Sequence, residues 1–321
     1  MIEKLTLRDV QKAADRIRGI SHVTPILTSS SLNQLTGNDL FCKGEHLQKV
    51  GAFKFRGAFN AVSRLDQQQL DRGLITVSSG NHAQALALAG RLHHAKVHIV
   101  MPDTASGIKK EAVKSYGADI HWCGNLQTKR EKSLAEIKSL TGAHYIPPYD
   151  HPDVIAGQGT VALEMLDQIA DLDVLVAPVG GGGLIAGIAL VAKSMCPGIK
   201  VYGAEPLGAD DAARSLSEGR RLPQLNPQTI ADGLQTGIGE WNWHIIKDQV
   251  DDILTVNDQE IIDATHFIWE RMKQVVEPSG AVSLAMVMSD EFRKRHQGQR
   301  IGLVFSGGNV SLDFFQCHKQ S

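Results

Sequence analysis

The sequence predicts an α/β protein in which parallel strands alternate with helices. Residues 174–179 form a short apolar run that ends in four glycines. An apolar helical segment over residues 184–192 and a β-branched run over residues 200–205 then complete one βαβ crossover. The same alternation of strand and helix patterns extends over residues 72–150. A further apolar run, residues 301–305, predicts a buried strand near the C-terminus.

The glycine run after the first of these strands is suited to an anion. It consists of Gly180, Gly181, Gly182 and Gly183. Without side chains the backbone can approach a bulky group, and the start of the following helix offers N–H groups to a phosphate. A tight turn without a ligand is one alternative. A dinucleotide loop is another, because Gly181, Gly183 and Gly187 approximate that fingerprint and Glu205 stands near its ribose-binding position.

The composition restricts the class of partner. The chain has 321 residues, of which 42% are hydrophobic and 21% charged, and its formal net charge is −2. This balance gives no indication of a nucleic acid or an acidic membrane surface as partner. The four scattered cysteines have no metal-ligand spacing, and no signal core or long apolar segment occurs. These features predict a soluble cytoplasmic protein with reduced thiols.

Lys54 stands in an apolar, glycine-flanked stretch, residues 49–58, at a predicted helix start. Desolvation at such a position would disfavour the ammonium form, so that the amine becomes available as a nucleophile or a base. The alternative is a solvated lysine beside a helix cap.

A second polar turn follows the predicted strand at residues 74–77 and precedes an apolar helix. It consists of Ser78, Ser79, Gly80, Asn81 and His82. Donors at a helix start suit a carboxylate or a ring oxygen. The alternative is a capping loop with Ser78 or Ser79 as the N-cap. Residues 306–309 predict a third strand-to-helix turn.

Together and in this order, these stretches resemble the fold-type II pyridoxal-phosphate enzymes, in the serine/threonine dehydratase and serine racemase family. The stretches that carry the resemblance are residues 52–58, 78–82, 180–183 and 306–309. The resemblance implies a tryptophan synthase β-like fold of two open, twisted, mostly parallel sheets flanked by helices. Residues 1–71 with 151–321 would form a large cofactor-binding domain and residues 72–150 a small domain, with the active site in the cleft between them.

The resemblance also assigns the contacts to pyridoxal 5'-phosphate. Lys54 would form the Schiff base, and Phe53 would lie against the ring. The four glycines would hold the phosphate, Asn81 the ring hydroxyl and Ser306 the pyridine nitrogen. A neutral hydroxyl would not keep that nitrogen protonated, so the ring would be a weaker electron sink. A weaker sink favours elimination over long-lived carbanions.

The reaction follows from the same resemblance. The substrate carboxylate would dock on the N–H groups of the turn formed by Ser78, Ser79, Gly80, Asn81 and His82, and Lys54 would remove the α-proton. Loss of the β-hydroxyl would then yield a 2-oxo acid and ammonia from L-serine or L-threonine. Ser79 resembles the serine that acts as acid and base on the opposite face in racemases of this family. The same site is therefore expected to support serine racemisation.

An acidic cluster begins at the end of the second strand of the crossover, and the resemblance implies that it binds a divalent metal. Glu205 and Asp211, with the carbonyl of Ala209 between them, resemble the metal site of serine racemases and related dehydratases. Mg²⁺ is the expected ion, with Ca²⁺ or Mn²⁺ as substitutes, because these ions prefer oxygen ligands. The alternative is a solvated acidic loop.

Arg130 resembles the racemase arginine that faces the active-site cleft, and Glu277 resembles its partner. The alternative is a surface arginine on a charged helix. If Arg130 reaches the site, it could bind a second carboxylate through two parallel hydrogen bonds. 3-Hydroxyaspartate would then be a substrate.

The sequence thus predicts a pyridoxal-phosphate-dependent ammonia-lyase for a β-hydroxy amino acid, with serine racemase activity at the same site. The first alternative is a threo-3-hydroxyaspartate ammonia-lyase. A second is a catalytically silent relative that binds the cofactor or an amino acid for regulation, and a nicotinamide oxidoreductase is a distant third. A homodimer is expected from the family resemblance.

Overall fold

The computed structural model describes residues 4–103, 107–124 and 127–314. Two separate sheets form within these residues. The strands are β1 Ile26–Leu27, β2 Asp39–Lys43, β3 Leu74–Val77, β4 Val97–Pro102, β5 Asp119–Cys123, β6 His144–Tyr145, β7 Val174–Pro178, β8 Lys200–Pro206, β9 Asp252–Val256 and β10 Arg300–Val304.

Helices connect the strands and cover the sheets. They are α1 Leu7–Ile17, α2 Ser30–Thr36, α3 Lys54–Val62, α4 Gln67–Asp71, α5 Asn81–Leu92, α6 Gly107–Ser115, α7 Gln127–Thr141, α8 Pro152–Gln168, α9 Gly183–Met195, α10 Asp211–Glu218, α11 Glu240–Gln249, α12 Asp258–Met272, α13 Pro278–Met288 and α14 Asp290–Arg295. None of the helices that the structure describes is long and apolar enough to cross a membrane.

The larger sheet has six strands in the order β1-β2-β10-β7-β8-β9. Every neighbouring pair is parallel except β1 and β2. The predicted crossover is β7-α9-β8, with Val174 paired to Lys200. Since parallel sheets are covered on both faces, their strands are apolar throughout, and all five residues of β7 are buried. The prediction of two mostly parallel sheets is confirmed.

The smaller sheet has four parallel strands in the order β5-β4-β3-β6. Its strands lie between residues 74 and 145. Its apolar core extends beyond that segment, because Phe55 and Phe59 of α3 pack in one buried cluster with Leu74, Leu86 and Ile99. Helix α3 therefore connects the small sheet to the rest of the molecule.

Helix α9 is buried over most of its length, and α8 packs closely along it. A Cβ on Gly187 would lie 2.6 Å from the backbone nitrogen of Gly159 on α8, and one on Gly159 would lie 3.0 Å from the carbonyl oxygen of Gly187. The close approach of two helix backbones therefore explains Gly187. The presence of Gly187 is therefore not evidence for a dinucleotide-binding loop.

The turn at residues 306–309 differs from the expectation. It follows β10 as predicted, but residues 310–313 are not helical, and helical structure appears only at Phe314, the last described residue. Three of the four cysteines, Cys42, Cys123 and Cys196, are free thiols, and Cys317 lies outside the described residues.

Candidate active site

The polar turns at the carboxyl ends of strands in the two sheets meet around one cavity of about 180 Å³. In open α/β sheets this is the edge at which ligands bind. The cavity contains every predicted cofactor and substrate residue: Phe53, Lys54, Ser78, Ser79, Gly80, Asn81, His82, Arg130, Gly180, Gly181, Gly182, Gly183 and Ser306. Tyr149, Thr236 and Glu277 line it as well.

Lys54 begins α3 and borders the cavity. The backbone before it is fixed to the larger sheet, because Phe53 donates a 3.1 Å hydrogen bond from its N–H to the carbonyl of Ser306. The Lys54 Nζ donates to the carbonyl of Pro148 at 2.8 Å and lies 5.1 Å from the centroid of the Phe53 ring. Desolvation lowers the pKa of Lys54 to about 8, although the charge of Glu277 acts in the opposite direction. The lysine is thus not a solvated surface residue.

A buried cluster of charged side chains, none of which lines the cavity, fixes the first turn of α3. The guanidinium of Arg56 is fully buried and donates to Glu45 at 2.8 Å and to Glu164 at 2.6 Å. Lys43 donates to the same Glu164 at 2.7 Å. Buried charges of this kind are stable only when every partner is present, so the cluster fixes the helix that carries Lys54.

The four glycines join β7 to α9 and are required by their surroundings. A Cβ on Gly181 would lie 2.4 Å from the ring of Tyr149, and one on Gly182 would lie 2.8 Å from Cδ1 of Ile246. Gly182 also has a φ of +89°, a conformation that side chains disfavour. Helix α9 begins at Gly183. Its first N–H groups have no intrahelical acceptors and are directed toward the cavity end of the helix.

The turn after β3 is not a serine-capped helix start. Gly80 is the N-cap of α5, and no side chain makes the capping hydrogen bond. Ser78 instead accepts a hydrogen bond from the N–H of Gly80 at 3.3 Å. Both serines therefore line the cavity, at a helix start whose N–H groups remain available to an anion.

His82 is buried beside Lys54. Its Nε2 lies 3.1 Å from the carbonyl of Ile146, and Nδ1 is buried with no hydrogen-bond partner in the described structure. Burial, together with the charge of Lys54, lowers the pKa of His82 to about 3. The ring is therefore neutral, with its proton on Nε2, because the carbonyl can only accept.

Asn81 belongs to a chain of side-chain hydrogen bonds. Its Nδ2 donates to Oε1 of Glu277 at 2.6 Å, and its Oδ1 accepts from Nδ2 of Asn309 at 2.8 Å. Asn309 also donates to the carbonyl of Val50 at 2.7 Å. A Cβ on Gly307 would lie 2.3 Å from Oε1 of Glu277, which explains the glycine there.

Arg130 reaches the cavity from α7. It is half-buried, and its Nε is buried without a hydrogen-bond partner among the residues that the structure describes. The alternative of an exposed arginine on a charged helix is thereby excluded. Glu277, expected as its partner, accepts a hydrogen bond from Asn81.

The predicted metal ligands lie outside the cavity. Glu205 is the penultimate residue of β8 and accepts from the N–H groups of Ala212 and Ala213 at 3.0 and 2.8 Å. Asp211 accepts from the N–H of Ile238 at 2.8 Å. Both carboxylates are fully buried, so the alternative of a solvated acidic loop is wrong. Helix capping, and not a ribose, explains the position of Glu205.

The sequence assigned no role to one cavity residue, Tyr149, or to three residues that support the site. Tyr149 packs against the glycine loop, and its neighbour Asp150 caps α11. Asn309 orients Asn81, and Asn242 binds the glycine loop. The only sequence signal for Asn242 is one amide between two tryptophans, and such a signal is weak without the fold.

Comparisons with known proteins agree with this geometry. The profile of the family described as pyridoxal-phosphate dependent enzyme matches residues 17–307. The chain is 47% identical to a serine racemase of Homo sapiens, over 96% of this chain and 92% of that protein. It is 46% identical to an L-threo-3-hydroxyaspartate ammonia-lyase of Saccharomyces cerevisiae, over 96% and 94%. A solved structure of a threonine deaminase from T.th. is 42% identical with a TM-score of 0.90, over 96% of this chain and 99% of that one.

Proposed function

The chain belongs to the pyridoxal-phosphate dependent enzyme family, and from that premise we propose that it dehydrates and deaminates a β-hydroxy amino acid. L-Serine and L-threonine would yield a 2-oxo acid and ammonia, with racemisation of serine at the same site. The observation that carries the proposal is that Lys54, Ser79 and the glycine loop line one cavity. The relatives named serine racemase, ammonia-lyase and threonine deaminase support it.

The cavity residues fit the cofactor. Gly181 and Gly182 leave no room for a Cβ, and the glycine loop as a whole lets a phosphate approach the backbone. Lys54 offers an amine with a lowered pKa, and Asn81 and Ser306 offer polar groups to a ring. When bound, pyridoxal phosphate would supply a conjugated ring that accepts the electron pair left on the α-carbon.

Lys54 would move the α-proton. With a pKa of about 8, a useful fraction of the amine is neutral near pH 7 and can accept a proton. The Pro148 carbonyl holds Nζ in place without competing for the proton, because it only accepts a hydrogen bond. The N–H groups at the start of α5 would bind the substrate carboxylate beside it.

Ser79 would act as the second acid and base. If it returns a proton to the α-carbon before the β-hydroxyl leaves as water, the product is the D-amino acid. If the hydroxyl leaves first, the product is the 2-oxo acid. Ser306, a neutral and buried hydroxyl, favours the second outcome because it cannot stabilise a protonated ring nitrogen as a carboxylate would.

Proton NMR in D₂O tests the proposal with L-serine, L-threonine and L-threo-3-hydroxyaspartate in turn. We expect a 2-oxo acid and ammonia from the preferred substrate. Deuterium at the α-position of remaining serine, with D-serine accumulating, would show that racemisation competes. No oxo acid and no exchange from any of the three would contradict the proposal and revive a regulatory binding protein.

A second candidate substrate, L-threo-3-hydroxyaspartate, is favoured by Arg130. Its partly unsatisfied guanidinium faces the cavity, where a second carboxylate would be bound. The 46% identical ammonia-lyase from Saccharomyces cerevisiae is named for that substrate.

We further propose that Glu205, Asp211 and the carbonyl of Ala209 bind Mg²⁺, for which Ca²⁺ or Mn²⁺ could substitute. Burial raises the pKa of both carboxyl groups, and the charge of Asp211 raises that of Glu205 further. In the described structure neither forms an ion pair with a lysine or arginine, whereas the neighbouring Asp210 pairs with Arg214. A cation with oxygen ligands would stabilise both as carboxylates, and water would complete its shell.

Thermal unfolding tests the metal proposal. Mg²⁺ or Ca²⁺ should raise the unfolding temperature of the wild type, because an ion that binds only the folded state stabilises it. Asp211→Asn should abolish the shift, and Asp210→Asn should retain it. An equal shift in all three proteins would contradict binding at this site.

We also propose that the protein is a cytoplasmic homodimer. Sedimentation velocity would test the dimer, because it distinguishes the mass of one chain from that of two.

A further inference from the structure

The peptide between Gly181 and Gly182 is held from the side opposite the cavity. The carbonyl oxygen of Gly181 accepts hydrogen bonds from the N–H of Gly239 at 3.1 Å and from Nδ2 of Asn242 at 2.6 Å. Asn242 is fully buried on α11, and neither donor lines the cavity. Both donors therefore hold the carbonyl away from the cavity.

This arrangement determines where the next N–H points. In a trans peptide the C=O and the following N–H are antiparallel, and the described chain contains no cis peptide. The N–H of Gly182 is therefore directed into the cavity. It adds a donor to those at the start of α9, which begins one residue later.

Helix α11 is itself fixed at its first turn. The carboxylate of Asp150 accepts from the N–H groups of Glu240 and Trp241 at 2.9 and 2.8 Å. A Cβ on Gly239 would lie 2.4 Å from Cγ of Asp150, so the contact is close. Tyr149, the residue before Asp150, packs against Gly181 on the cavity side. The glycine loop is thus held from both sides.

We propose that Asn242 is a positioning residue of the phosphate site, because it keeps the N–H of Gly182 aimed at the cofactor's phosphate by binding the carbonyl of Gly181. This inference rests on the proposed function, in which the glycine loop binds pyridoxal phosphate. Lys54, Asn81 and Ser306 hold the remainder of the cofactor and do not contact Asn242. The contribution of Asn242 is therefore specific to the phosphate.

A purely structural role for Asn242 predicts something different. If the side chain served only to pack α11 against α9, its loss would weaken all ligands of the cavity alike. Pyridoxal, which lacks the phosphate but retains the ring and aldehyde, distinguishes the two roles. The informative quantity is the ratio of the two dissociation constants within one variant, because a general loosening of the fold cancels in it.

The test uses the apoenzyme of Asn242→Leu, which keeps the number and branching of the side-chain heavy atoms and removes the donor, and of Asn242→Ala. Each is titrated with pyridoxal phosphate and with pyridoxal, and binding is followed by absorbance. We expect the Kd for pyridoxal phosphate to rise about tenfold, the usual net value of one hydrogen bond. The Kd for pyridoxal should stay within about twofold, as expected when no ligand contact is lost.

Asn257→Ala is the matched control. Asn257 caps α12 by accepting from the N–H of Glu260 at 3.0 Å and does not line the cavity, so its loss should lower stability without changing the ratio. An unchanged ratio in both Asn242 variants would overturn the inference. A wild type that fails to bind pyridoxal phosphate would instead contradict the proposed function itself.

Discussion

Asn81 and Glu277 are 196 positions apart, yet Nδ2 of Asn81 donates a 2.6 Å hydrogen bond to Oε1 of Glu277. On its other side, Asn81 accepts from Asn309, whose amide is in turn oriented by the carbonyl of Val50. An ionised carboxylate only accepts, so the amide of Asn81 has one allowed orientation. Its second N–H remains available to a ring oxygen.

Glu277→Gln should change the pH profile of turnover. The carboxylate raises the pKa of Lys54, so its removal should shift the acidic limb of kcat to lower pH. Loss of the charged hydrogen bond to Asn81 should lower kcat itself by about 10- to 100-fold. The exposed Glu270→Gln should leave the profile unchanged. An unshifted limb in Glu277→Gln would show that this carboxylate does not act on Lys54.

Lys54 should make the stability of the apoenzyme depend on pH. Burial lowers its pKa from 10.5 to about 8, so the folded state carries a penalty for the ammonium form. That penalty is complete below pH 8 and disappears as the pH rises to 10.5. Relative to Lys54→Met, the wild type should gain at most about 3 kcal/mol across this interval.

Urea unfolding at several pH values measures this gain. Lys132 is exposed on α7, so Lys132→Met should have the same pH dependence as the wild type. If the free energy of unfolding depended on pH in the same way for the wild type and Lys54→Met, the lysine would be hydrated in the folded state.

Arg56→Met should destabilise the protein strongly. It leaves Glu45 buried without its cation and removes one of the two cations bound to Glu164. Breaking a buried ion pair costs about 3–5 kcal/mol. Arg295 provides the control, since it is 44% exposed and pairs with Asp252 and Glu291 at the surface. Arg295→Met should lower the free energy of unfolding by less than about 1 kcal/mol. Similar losses for Arg56→Met and Arg295→Met in urea unfolding would contradict the difference expected between a buried and a surface ion pair.

Gly181→Ala should weaken the binding of pyridoxal phosphate. The added methyl would lie 2.4 Å from the Tyr149 ring, so the loop or the ring must move. The double variant Gly181→Ala with Tyr149→Ala should recover part of the affinity. Gly198→Ala, with nothing within 4 Å, should alter stability by no more than about 0.5 kcal/mol. Full affinity in Gly181→Ala would mean that this contact does not shape the loop.

Arg130→Ala should distinguish the candidate substrates. If the guanidinium binds a second carboxylate, kcat/KM for L-threo-3-hydroxyaspartate should fall about 10- to 100-fold while that for L-serine changes little. Arg130→Lys should recover only part of the loss, because lysine cannot form the bidentate pair. Lys132→Ala, on the same helix, should affect neither substrate. Equal losses for serine and hydroxyaspartate would assign Arg130 to the shape of the cavity.

The sequence was sufficient for the βαβ unit, for strands β3, β7, β8 and β10, and for the turns that follow them. Each follows from a local signal: apolar runs give strands, and glycine or serine turns before apolar segments give helix starts. The glycine loop follows from a local signal of the same kind, whereas the role of Lys54 was implied by the family resemblance. The helix expected after the turn at Asn309 does not begin at the turn itself, because residues 310–313 are not helical and Phe314, the last described residue, is the first that is.

Tertiary structure alone decided which residues act together. Glu277 accepts a hydrogen bond from Asn81, Glu205 caps α10, and Gly187 allows α9 to pack closely against α8. Strands, helices and turns depend on residues that are close together in the chain, so the sequence pattern is enough to predict them. A hydrogen bond between side chains 196 positions apart depends on the packing of both sheets. The sequence determined the fold and the chemistry of its motifs, while the packing of distant segments determined how those groups are oriented.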